Sequence, residues 1–154
     1  MERVRIIWGG IVAFLRGSVG EGVALAFVRL ALAGVFWRSG RSKVVEGTWL
    51  QLSDGARYLF ENDYSGVPLP ADMAANIALV CETVLPILLV LGLATRLSAL
   101  ALLGMTMTIQ IFVFPDAWWS VHILWVALAL TLVSRGSGMF AVDAVAARWF
   151  ADDR

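Results

Sequence analysis

An all-α membrane protein is the fold class this sequence predicts: an antiparallel bundle of four transmembrane helices with interfacial helices at its N- and C-terminal ends. Three observations carry that expectation. The chain is 60% hydrophobic and only 16% charged over 154 residues, with a mean hydropathy of +0.80, too little charge to cover a soluble domain of this size. Four apolar stretches are each long enough, at about 1.5 Å of rise per residue, to cross a hydrocarbon core of roughly 30 Å. The links between the second and third and between the third and fourth are so short that these neighbours run antiparallel, and helices satisfy their own backbone in lipid. The sequence reads as a single membrane domain, 1–154, with spans at about 22–45, 72–96, 97–114 and 119–135 and an outer loop at 46–71.

The first segment, Met1 to Glu21, opens with Arg3 and Arg5, continues through the apolar run IIWGGIVAFL and meets Arg16. A signal peptide would show a small-residue cleavage site, which Arg16 and Glu21 interrupt. A helix lying in the interface, with Trp8 and Phe14 toward the lipid, suits it better. The first span then carries Arg29 inside an apolar run and Arg38, Arg41 and Lys43 toward its far end. A short amphipathic helix is expected from Trp49 to Phe60, stopped by Pro68 and Pro70.

The second span contains twenty-three residues between Asp72 and Arg96, and Glu82 is its one carboxylate. At that depth a charge costs about 2.5–3.5 kcal/mol unless it is paired or protonated. Thr95 and Arg96 turn directly into the third span, which carries Gln110 but no formal charge. Pro115, Asp116 and the pair Trp118–Trp119 form the next turn, and the fourth span holds His122. The tail from Arg135 is amphipathic enough to lie on the membrane surface. The seven tryptophans fit aromatic belts at the interfaces.

Lys and Arg set the orientation. Seven (Arg3, Arg5, Arg16, Arg96, Arg135, Arg148, Arg154) fall on the side of the termini and four (Arg38, Arg41, Lys43, Arg57) on the other. Both termini are therefore expected in the cytoplasm, in a multi-pass protein of a bacterial inner membrane. With that topology, helical rise places Glu82 about 21 Å, Gln110 about 20 Å and His122 about 18 Å from the cytoplasmic side, and Arg38 at about 24 Å. A polar site in the outer half of the bundle is expected from Glu82, Lys43, Arg38, Gln110 and His122, with Arg29 serving the inner half.

Arg29, Phe36, Gly40 and Lys43 recur on one helical face, and Arg38 falls nearly opposite Arg29. Side chains lean toward their own helix N-terminus, so Lys43 and Glu82, on antiparallel helices, lean toward each other. Lys43 is thus the expected partner of Glu82. The bland alternative is a pair that only fixes helix register, and Gln110 and His122 read as well as a plain interhelical hydrogen bond. Gly40, Gly92 and Gly104 are read as close-packing points.

Composition also excludes. Twelve basic and twelve acidic residues leave no net charge, against nucleic-acid binding. A lone cysteine, Cys81, rules out a dithiol catalyst, and a lone histidine rules out bis-histidine haem ligation. Cys81, Met105 and Met107 read as core filler rather than a soft-metal site, so no metal is expected.

Two patterns, R-x6-F-x3-G-x2-K from Arg29 through Phe36 and Gly40 to Lys43, and E-x9-G-x2-T-R from Glu82 through Gly92 to Thr95 and Arg96, resemble the DoxX family of small bacterial membrane proteins. The tail GSGMFAVDA resembles the family's ending, a glycine-containing turn before an Asp. Ser39 stands where the family often has His, and Leu85 and Pro86 stand where it often has glycines. Pro86 frees a backbone carbonyl close to Glu82 and can bend the helix there.

The resemblance implies a subunit of a quinone-linked redox or oxidative-stress assembly, with no covalently bound cofactor and a quinone as the candidate ligand. The runs FWRSGRSKV and IQIFVFPDAWW are similar to members encoded beside metal-stress peptides and their maturation proteins. The implied partners are membrane lipid, a quinone, a soluble redox or accessory protein and further copies of the chain. Two other readings stand beside it: a non-catalytic scaffold for a soluble partner, and a small proton-coupled transporter using the buried charges as a relay.

Overall fold

The computed structural model describes residues 1–152, with side chains through residue 149, and the described residues are helical without a β-strand. Arg154, counted above for orientation, lies outside them. The helices are α1 (Glu2–Arg16), α2 (Ser18–Arg41), α3 (Asp54–Asn62), α4 (Ala71–Leu91), α5 (Thr95–Phe112), α6 (Ile123–Arg135) and α7 (Val142–Asp152). Four segments are long and apolar enough to cross a membrane: Ser18–Arg41, Ala71–Leu91, Thr95–Phe112 and Pro115–Arg135.

In the bundle α2 packs on α4 and α6, and α5 on α4 and α6, closing a ring of four. Its core comprises Leu25, Leu32, Ala33 and Phe36 from α2, Leu89 from α4, Ala99 and Leu102 from α5, and Ala129 and Leu132 from α6. α1 buries none of its residues and leaves Trp8, Ile11 and Phe14 uncovered. Gly17, in extended backbone, separates it from α2.

Boundaries depart from the sequence expectation where local chemistry intervenes. α2 begins at Ser18 and stops at Arg41, not near residue 45, so Lys43 lies just beyond the helix end. The expected short helix starts later, at Asp54, because the Ser53 side chain caps it by accepting from the Ala56 N–H. α4 ends at Leu91 rather than running to residue 96. Gly92 takes φ +68°, and the Gly92 and Leu93 amides return to the Leu89 and Leu88 carbonyls, the glycine-terminated helix end that orphan carbonyls favour. The fourth span opens with a 3₁₀ turn (Pro115–Ala117) and a π-turn (Trp118–His122) before α6.

The outer loop is not a free excursion. Leu52, Ala56 and Phe60 pack on Ala74, Ala75 and Leu79, so α3 covers the N-terminal half of α4. α2 has already ended there, since Arg41 bonds Thr83 of α4. Gly40 is where α2 comes closest: a Cβ on it would lie 2.9 Å from the Glu82 carbonyl oxygen, the carbonyl whose helical N–H partner Pro86 lacks. Gly104, expected as a third packing point, has open space around it.

Candidate functional site

Glu82 and Lys43 meet inside the bundle. Lys43 Nζ lies 2.8 Å from Glu82 Oε2, with both side chains almost wholly buried. Lys43 also donates to Ser39 Oγ at 2.8 Å and to the Ser39 carbonyl at 3.2 Å, so its three ammonium donors are all used. The Ser39 hydroxyl in turn donates to Glu82 Oε1 at 3.3 Å. A one-turn offset along α2 makes this possible: Ser39 lies on the last turn of the helix and Lys43 folds back over it.

A second polar pair faces the same region. Gln110, near the end of α5, donates from Nε2 to the Pro115 carbonyl at 2.6 Å, and its Oε1 lies 2.7 Å from His122 Nδ1. Pro115 starts the turn and the π-turn carries His122 inward, where its ring packs 5.1 Å from that of Trp125. π-turns recur at sites where a side chain must be re-aimed.

Two adjoining cavities border these groups. A smaller one of about 90 Å³ is lined by Ser39, Glu82, Tyr64 and His122 together with Phe36, Trp125 and other apolar side chains. A larger one of about 170 Å³ lies between α4 and α5 beneath the outer loop and is almost wholly apolar, with Glu82 at its polar end. Glu82, Tyr64 and Ile109 line both. Tyr64 stacks on Phe60, and burial, with the nearby charges of Glu82 and Asp63, pushes its phenol up to about 12, so it keeps its proton and remains a donor. Lys43 lines neither cavity.

Of the residues expected here, Glu82, Lys43, Gln110 and His122 come together and Arg38 does not. Arg38 is exposed on the outer face of α2, half a turn from the buried face that the sequence already assigned to Arg29, Gly40 and Lys43. Arg41 turns in instead. It donates to Thr83 Oγ1 at 2.7 Å and to the Trp49 carbonyl at 2.9 Å, with its guanidinium 4.8 Å from the Trp37 ring centre and 5.7 Å from that of Trp49. Ser39, Tyr64 and Arg41 are the residues sequence reasoning missed. Ser39 had a signal, its spacing of four from Lys43. Tyr64 had none, because its place depends on how the outer loop folds.

Arg29 belongs to another cluster. It donates to the Leu89 and Val90 carbonyls at the end of α4 and, at 2.5 Å, to that of Phe140. Asp143 accepts from the Ala94 and Thr95 amides at 2.8 and 2.9 Å, capping α5, while its own amide donates to the Gly92 carbonyl. A side chain at Gly92 would collide with Arg29 and Ala141. Thr95 is buried, and Arg96 reaches the Ser134 carbonyl at 3.3 Å. Phe36 sits in the core against Trp125.

The fold and these intramembrane polar groups define a small multi-pass helical membrane protein with a buried ion pair beside a cavity. Residues 24–115, more than half of the chain, match the DoxX family model, and the chain belongs to the DoxX family. It is 30% identical over 142 residues to a protein of Haemophilus influenzae described as uncharacterized, covering 82% of this chain and 85% of that one. No solved structure matches it.

Proposed function

We propose that this DoxX protein is a quinone-binding subunit of a redox assembly in the bacterial inner membrane, with both termini cytoplasmic. One observation carries the reading: the buried acid Glu82 lines both an apolar cavity between α4 and α5 and a smaller one shared with Ser39, Tyr64 and His122. A quinone needs an apolar slot for its tail and a few polar groups for its ring oxygens. The larger cavity exceeds the roughly 150 Å³ hole known to hold a benzene ring, and Glu82 and Tyr64 border both it and the smaller cavity where Ser39 and His122 lie. Donors and acceptors of both kinds are present, with the Tyr64 and Ser39 hydroxyls beside the Glu82 carboxylate and His122. Lys43 acts through Glu82, holding its charge and orientation, and not on the ligand.

With one histidine and one cysteine in the chain, electrons pass between the quinone and a partner protein that carries its own redox centre. The clustering of Arg16, Arg96 and Arg135 at the ends of α1, α5 and α6 on the side of the termini supports the cytoplasmic placement. Purification in mild detergent, followed by solvent extraction and mass spectrometry, tests the reading. Quinone is expected with the parent protein and lost with Glu82→Ala. Protein of either form that carries none, while still capturing a soluble partner, would instead favour a scaffold.

A further inference from the structure

The hydrogen bonds around Gln110 fix which proton His122 carries. The Pro115 carbonyl can only accept, so the atom of Gln110 that faces it at 2.6 Å is the amide nitrogen. That leaves the amide oxygen, 2.7 Å from His122 Nδ1, as an acceptor. A nitrogen facing an acceptor at that distance holds the hydrogen, so neutral His122 is the Nδ1–H tautomer and its Nε2 is a bare acceptor. Nε2 has no hydrogen-bond partner among the described residues, although His122 is buried, and it borders the smaller cavity. Of the other polar groups on that cavity's wall, Glu82 is ion-paired with Lys43 and is likewise an acceptor, while the Ser39 and Tyr64 hydroxyls can donate or accept, so that a ligand hydroxyl can accept from Tyr64 and still donate to Nε2.

From this arrangement we infer that the ligand, with its ring in the larger adjoining cavity, reaches His122 Nε2 as a hydrogen-bond donor: a hydroxyl-bearing ring, the quinol rather than the quinone. The inference rests on the quinone reading and narrows it to one redox state. A quinol offers an O–H to Nε2, whereas the oxidised ring sets an acceptor against an acceptor there. Gln110 is the positioning residue. It never touches the ligand, and it sets the tautomer that selects it.

Because His122 is the chain's one histidine, the test is spectroscopic. The full chain, labelled with heavy-nitrogen histidine and held in detergent, gives a single imidazole whose two nitrogens are distinguishable by NMR. The expected spectrum without ligand is that of the Nδ1–H form. A decyl benzoquinol then shifts the Nε2 resonance and binds about tenfold more tightly than the matching benzoquinone, the difference one hydrogen bond makes. Gln110→Leu frees the tautomer and removes most of the preference. An Nε2–H tautomer in the unliganded protein, or a quinone that binds as tightly as the quinol, overturns the inference while leaving the quinone reading intact. Failure of both compounds to bind overturns the two together.

Discussion

Arg29 and Glu82 are both charged, both buried and both held on apolar helices, yet their surroundings differ in kind. The guanidinium of Arg29 spends its terminal N–H groups on three backbone carbonyls, and neither of the two cavities beside Glu82 is lined by it. The carboxylate of Glu82 is paired on one side with Lys43 and Ser39 and opens on the other to two cavities. The first cluster joins the ends of α4 and α5 to the start of α7, where helix termini leave carbonyls and amides without partners. The second leaves polar capacity facing space. A buried charge therefore has to be read by what its remaining surface meets, since depth alone gives the same expectation for both.

The comparison breaks most sharply at Lys43. Lys43→Met strands the Glu82 carboxylate and is expected to cost about 3–5 kcal/mol of stability in detergent, most of it recovered when Glu82→Gln is added. Chemical unfolding of the two single variants and the double one measures this, and simple additivity would mean the groups are not coupled. Arg29→Met, by contrast, is expected to cost about 2–3 kcal/mol through its lost carbonyl bonds, with retained quinone unchanged per folded molecule. Loss of quinone with Arg29→Met would erase the distinction between the clusters.

Smaller effects sharpen the same contrast. Asp143→Ala removes the cap on α5 and is expected to lower stability by about 1 kcal/mol, again leaving the ligand in place. The exposed pair Arg57–Asp72, 2.7 Å apart on the outer surface, is the control. Arg57→Gln should shift the unfolding midpoint by less than the equivalent of about 1 kcal/mol and lose even that in high salt.

Helix identity was legible because lipid imposes it: apolar runs of spanning length have one solution in a bilayer. Helical phase and side-chain lean pointed to the Lys43–Glu82 pairing, but α2 stops at Arg41 and Lys43 reaches Glu82 by folding back over the last turn. Arg38 and Arg41 show where that reasoning stops. They lie three residues apart on the last turn of α2, and only the fold decides that Arg41 turns in between Trp37 and Trp49. Tyr64 was unreadable for a related reason. Its position follows from the docking of Leu52, Ala56 and Phe60 on α4, a tertiary event with no local periodic signature. The end of α4 was misplaced because Gly92 stops the helix before the charged residue that seemed to mark its end.

Because α2 terminates beside Thr83, the bundle's fourth wall beyond that level is a nine-residue helix, α3, pinned by a small apolar patch. A short element anchored in this way detaches at a fraction of the free energy needed to unfold the whole molecule. Amide exchange in α3 is therefore expected to run ahead of exchange in the four long helices.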